Sequence, residues 1–91
     1  MPRTYRLITF TVEAMQLTPE RHDDAALWTG GMKVVETDPR DPNKKFVALN
    51  IPTVRGMERA SEGDYIVKDA SNGGFCVVKK RDFEAKYELA S

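Results

Sequence analysis

Short runs of β-branched and aromatic residues recur along the chain, closed by turn signals at intervals of about ten residues. Tyr5 to Met15 is the first run. Ile8, Phe10, Val12 and Ala14 share one parity and Thr9, Thr11 and Glu13 the other, the period-two pattern of a half-buried strand. Met32–Thr37 and Phe46–Ile51 read as further strands, with Pro52 limiting pairing at the end of the second. Between them, the two prolines and two aspartates of Asp38–Lys44 predict a turn or mobile loop. Val54–Ala60, bent at Gly56, and Tyr65–Lys68 flank a tight turn at Ser61-Glu62-Gly63-Asp64, where Gly63 supplies a positive φ. Ser71-Asn72-Gly73-Gly74 predicts a hairpin, because Asn-Gly suits a two-residue turn, and Gly74–Val78 is its return strand.

One helix start stands out. Thr18 is suited to cap free backbone N–H groups, Pro19 fits the first turn, and Glu20 complements the positive end of the dipole. His22, Ala25 and Trp28 then fall on one narrow face with Ala26 beside them, and Gly30-Gly31 ends the helix. A helix of about three turns is marginal alone, so Trp28 must pack against a sheet. Phe83 and Tyr87, four apart, predict a short helical turn over Lys80–Tyr87, and Glu88–Ala90 a last pairing at a sheet edge. The expected fold is α+β: a small, strongly curved antiparallel sheet or partial barrel with one helix packed on its open side. Ile8, Phe10, Val12, Trp28, Ile66, Val77, Phe83 and Tyr87 are expected to share one core.

Ninety-one residues make one domain, spanning residues 1–91, and 41% hydrophobic residues suffice for a core. Fourteen basic residues cancel fourteen acidic ones, which counts against a dedicated nucleic-acid binder. No apolar run approaches the roughly 20 residues of a membrane helix, and Met1-Pro2-Arg3-Thr4 does not begin a signal peptide. A cytoplasmic protein without membrane contact is expected. The single cysteine, Cys76, lies between Phe75 and Val77 and reads as a buried structural thiol.

The order of these pieces resembles a family of small uncharacterised proteins of tailed bacteriophages and prophages. The matching segments are Val12-Glu13-Ala14, Trp28-Thr29-Gly30-Gly31, Ile51-Pro52-Thr53, Gly63-Asp64-Tyr65-Ile66 and Phe83-Glu84-Ala85-Lys86-Tyr87-Glu88, spread over nearly the whole chain. The chain departs from the family at Lys79-Lys80-Arg81-Asp82, where a Cys-Lys-Pro-Asp segment is usual, and its Asp38–Lys44 segment looks like an insertion. The resemblance implies a phage accessory protein acting in the host cytoplasm. It carries over no catalytic residue and no cofactor.

The residues themselves offer no catalytic constellation. His22 is the one histidine, beside Asp23 and Asp24, and a metal shell needs several ligands, so it reads as a solvent-facing or partly packed helix residue. Asp64 reads as a turn residue bonding its own backbone, although Glu58 and Glu62 stand near it in sequence. The glycine pairs lack phosphate-cradling patterns. The strongest candidate for binding is a cationic patch formed by Lys79, Lys80 and Arg81 with Arg55, Arg59 and Lys68 on nearby strands. It would serve an acidic host or phage protein, a nucleotide ligand or nucleic acid; the competing reading is a solvated edge whose lysines block strand pairing. Non-enzymatic binding of a host or phage macromolecule is the expected function. The alternatives are sequestration of a nucleotide signal of host defence and nucleic-acid binding by a small barrel. Open strand edges also suggest a homodimer, with the six cations outside its seam.

Overall fold

The computed structural model describes residues 2–7, 10–53, 55–69 and 73–89, with the side chains of residues 6, 7, 10, 11, 88 and 89 left aside. The run expected as one strand from Tyr5 to Met15 is a hairpin. Strand β1 (Arg3–Leu7) pairs antiparallel with β2 (Phe10–Gln16), and Leu7 lies opposite Phe10. The chain reverses there without Gly, Pro, Asn or Asp, so no residue announced the turn.

A 3-10 turn (Pro19–Arg21) leads into α1 (His22–Thr29). Thr18 does not cap with its side chain; its carbonyl accepts from the Arg21 N–H at 3.1 Å. Gly30 ends α1 in the left-handed conformation, φ 70°, as its sequence position suggested. Gly31 has a different role: a Cβ there would stand 2.7 Å from the Asn50 carbonyl oxygen, so a side chain would force the helix exit away from the sheet.

Of the turn or loop expected over Asp38–Lys44, only Pro39-Arg40 is a turn; the rest is strand. Strand β3 (Met32–Asp38) turns through Pro39-Arg40 into β4 (Asp41–Thr53), with a register shift between Thr37 and Asp38. Asp38 and Asp41 each accept a backbone N–H two residues on, from Arg40 and Asn43, which stiffens the tip. At roughly 3.3 Å per residue, thirteen-residue β4 is about 40 Å long and the longest strand described. Strand β5 (Gly56–Ser61) follows; Gly56, φ 105°, opens this strand rather than bending its middle. Val54 lies outside the described residues.

Strand β6 (Tyr65–Lys68) and β7 (Phe75–Val78) form the hairpin that Asn72-Gly73 marks, although residues 70–72 themselves lie outside the description. Helix α2 (Lys80–Lys86) and β8 (Glu88–Leu89) complete the chain, as the Phe83–Tyr87 spacing and the final pairing suggested.

The strands make two antiparallel sheets, ordered β7-β6-β2-β1-β8 and β3-β4-β5. Neither closes, so the partial barrel is not formed. The turn at Ser61–Asp64 does not join a hairpin; it carries the chain from one sheet to the other. The single expected core is likewise two. Met15, Leu17, Ala25, Leu49, Ile51, Ala60 and Ile66 fill the space between the sheets under α1, with Trp28, Phe75 and Val77 packed against them. Val12, Ala14, Tyr65, Val67 and Phe83 form the second cluster, closed by Tyr5, Val78 and Tyr87 under α2. Ile8 and the Phe10 side chain, also expected in the core, lie outside the description. The physical reason for the split is strand alternation: adjacent residues such as Ala14 and Met15, or Ile66 and Val67, point to opposite faces, and each face has its own helix.

Candidate functional site

The turn at Ser61–Asp64 is tied to the end of β2. Gly63 N–H donates to the Leu17 carbonyl, Leu17 N–H donates to the Asp64 carbonyl, both at 2.8 Å, and the Gln16 amide donates to the Gly63 carbonyl at 3.1 Å. This holds the Asp64 side chain inward, where it is 9% exposed. Its Oδ2 accepts the Ser61 N–H at 2.9 Å and the Lys79 ammonium at 3.3 Å. Asp64 is thus the turn residue its sequence context suggested, and in addition it anchors the segment that enters α2. Glu58 and Glu62 do not join it. Glu62 accepts the Val47 N–H at 3.2 Å, while Glu58 lies near Cys76 on β7.

Anchored at Lys79, the segment turns outward. Lys79 and Lys80 keep 68% and 57% of their side-chain surface exposed, and Arg81 is exposed beside them. Lys80 bridges to Glu84 one helical turn on at 3.2 Å, and the Tyr65 hydroxyl donates to the other oxygen of Glu84 at 2.9 Å. The tyrosine hydroxyl and then Lys80 hold the Glu84 carboxyl below its ordinary range. Burial, reinforced by the Glu84 carboxylate, pushes Tyr65 up to about 12. The Lys80–Glu84 spacing was readable in the sequence; the tyrosine, from another element, was not.

The other three expected cations do not join Lys79–Arg81 in one patch. Lys68 lies opposite Phe75 and Tyr65 opposite Val78, so Lys68 and Lys79 stand at opposite ends of the β6–β7 hairpin. Arg55 belongs to the β4–β5 turn and lies near Cys76 together with Glu58 and Asp69. Arg59 pairs with Glu36 at 3.4 Å across the β3-β4-β5 sheet. The expected juxtaposition rested on pairing β5 with β6, and those strands belong to different sheets.

Cys76 is exposed, not buried. It shares a face of the hairpin with Val67 but sits on the edge strand, and α2 covers the Tyr65–Val78 end of that face. Partial desolvation, then Glu58 and Asp69, raise its thiol above the ordinary value, the opposite of what a nucleophile needs. His22 is partly packed: its Nε2–H donates to the Ala48 carbonyl at 2.8 Å, tying α1 to β4. Among the described residues no group of His, Cys, Asp and Glu side chains has the arrangement of a metal site.

Among the described residues, two of the hollows on the surface have a defined lining. One, of about 440 Å³, is lined by Pro2, Met15, Asp24, Leu27 and Trp28. The other, of about 260 Å³, has Glu36, Asp38, Phe46 and Glu62 in its wall. Both carry carboxylates, and neither includes any of the six cations. Comparison with protein-family models, curated proteins and solved structures finds no match. No helix among the described residues is long and apolar enough to cross a membrane.

Proposed function

We propose that the chain is a non-enzymatic accessory protein of a tailed bacteriophage or prophage, acting in the host cytoplasm by binding an acidic surface of a host or phage protein. The observation that carries the binding reading is the segment Lys79-Lys80-Arg81. Its first cation is held by a buried carboxylate while all three side chains stay exposed. A cationic segment fixed at its base presents charge without first having to order itself, and opposite charge across an interface speeds encounter and sets specificity. The phage setting rests on the ordered motifs from Val12-Glu13-Ala14 to Phe83–Glu88.

The nucleotide-binding alternative gains no support from the two hollows described above, because each carries carboxylates that would repel phosphates. The nucleic-acid alternative presumed a small barrel, and the sheets are open. Quantitative capture from host lysate, with the bound protein identified by mass spectrometry, tests the proposal. Replacing Lys79, Lys80 and Arg81 together by Ala should abolish a capture that also weakens as salt is raised. Equal capture by the triple variant at low salt would refute it.

A further inference from the structure

Among the described residues, strand β3 is the longest sheet edge left open. Of the four sheet edges, β5 and β7 pack against one another and β8 is two residues long. β3 has seven residues and pairs, among the described residues, only with β4. Met32 is 67% exposed and Val35 59%, with Lys33 and Thr37 exposed between and beyond them. Natural edge strands are commonly guarded by proline, a bulge, short length or a lysine standing over the edge. Here the bulge and proline come only at the far end, beside Asp38 and Pro39, and Lys33 is drawn to Asp23 of α1.

We propose that this edge is covered by a second copy of the chain, paired antiparallel along β3 about a twofold axis. Val35 is the midpoint of Met32–Asp38, so pairing over the full strand places Val35 opposite Val35 of the partner subunit. Lys33 then faces Thr37 of the partner subunit, Val34 faces Glu36 of the partner subunit, and Met32 faces Asp38 of the partner subunit. No like charges stand opposite one another. Moving the axis to Lys33 or to Glu36 would set two ammonium groups or two carboxylates face to face, which is unfavourable for a directly opposed pair. Zero net charge leaves no long-range repulsion between copies. The product is one continuous sheet, β5-β4-β3 joined to its twofold mate, with the exposed valine buried at the centre. None of the six expected cations lies on β3, so the dimer and the binding proposed above stand or fall separately.

Light scattering and sedimentation of the whole chain over a range of concentrations give the test. The wild type should dimerise. Val35→Lys and Val35→Glu should each weaken the dimer about tenfold or more, because like charges then meet at the axis. An equimolar mixture of the two variants should dimerise again, since opposite charges now face each other. Met57→Lys, at a 65% exposed position on β5, should leave the dimer unchanged, as should the Lys79, Lys80, Arg81 triple variant. Wild-type amide exchange along β3 should slow as concentration rises, which needs no variant to fold. A monomeric wild type, a Val35→Lys dimer as tight as wild type, no recovery on mixing, or dissociation by Met57→Lys would each overturn the proposal.

Discussion

Tyr65 has its ring in the core beneath α2 and its hydroxyl on Glu84, a surface carboxylate. Folding raises the pKa of this phenol from an ordinary value near 10 to about 12, so the folded state holds its proton more tightly than the unfolded chain. Its contribution to stability is therefore complete below pH ~10 and lost as pH climbs from about 10 to about 12. Denaturant unfolding at a series of alkaline pH values should show wild type losing stability relative to Tyr65→Phe across that window. Parallel curves for the two proteins would show that the hydroxyl is not titrating there. The Ser61-Glu62-Gly63-Asp64 turn was legible residue by residue, since Gly63 takes φ 95° and Asp64 bonds the Ser61 N–H. The reach of Lys79 to Asp64 was not, because it depends on where a later element begins.

Helix α2 is only seven residues long and has no side-chain N-cap, so its stability comes from docking. Phe83, 1% exposed, provides it: its ring stacks on Tyr65 at 3.9 Å and on Tyr87 at 4.5 Å, and meets Tyr5 edge-on at 4.8 Å. Phe83→Ala should cost about 3–5 kcal/mol in denaturant unfolding, the usual cost of emptying a buried aromatic site. Arg81→Ala, on the exposed side of the same helix, should stay within about 0.5 kcal/mol. Similar losses from both would mean that α2 is not held by its aromatic plug. The spacing of Phe83 and Tyr87 made this element readable, as Gly30 did the end of α1. The β1–β2 reversal and the β3–β4 hairpin were misread for opposite reasons. The first lacks turn residues altogether. The second has so many that they masked a strand tip carrying the same residues.

At the scale of the molecule, the two cores are joined through shared strands. Met15 and Ile66 face the core under α1, while Ala14 and Val67, their immediate neighbours, face the one under α2. Central strands β2 and β6 cannot leave one core without leaving the other. Trp28, the single tryptophan, reports on the first core through its edge-on contact with Phe75 at 5.0 Å, and the stacked tyrosines report on the second. Tryptophan fluorescence and near-ultraviolet tyrosine dichroism should therefore follow one coincident unfolding transition. Separate midpoints would mean that each helix and its core unfold independently.

Local chemistry in the sequence determined the α+β class, the Gly30 end of α1, the β6–β7 hairpin and the short α2, because period, caps and turns act over a few neighbouring residues. Pairing partners are set by contacts between distant segments. Only the tertiary structure decided that β5 pairs with β4 and not β6, that alternation along β2 and β6 serves two cores, and that Arg55, Arg59 and Lys68 stand apart from Lys79-Lys80-Arg81. A strand's side chains alternate identically whichever neighbour it takes, so the same residues fit one curved sheet or two open ones until burial of both faces chooses between them.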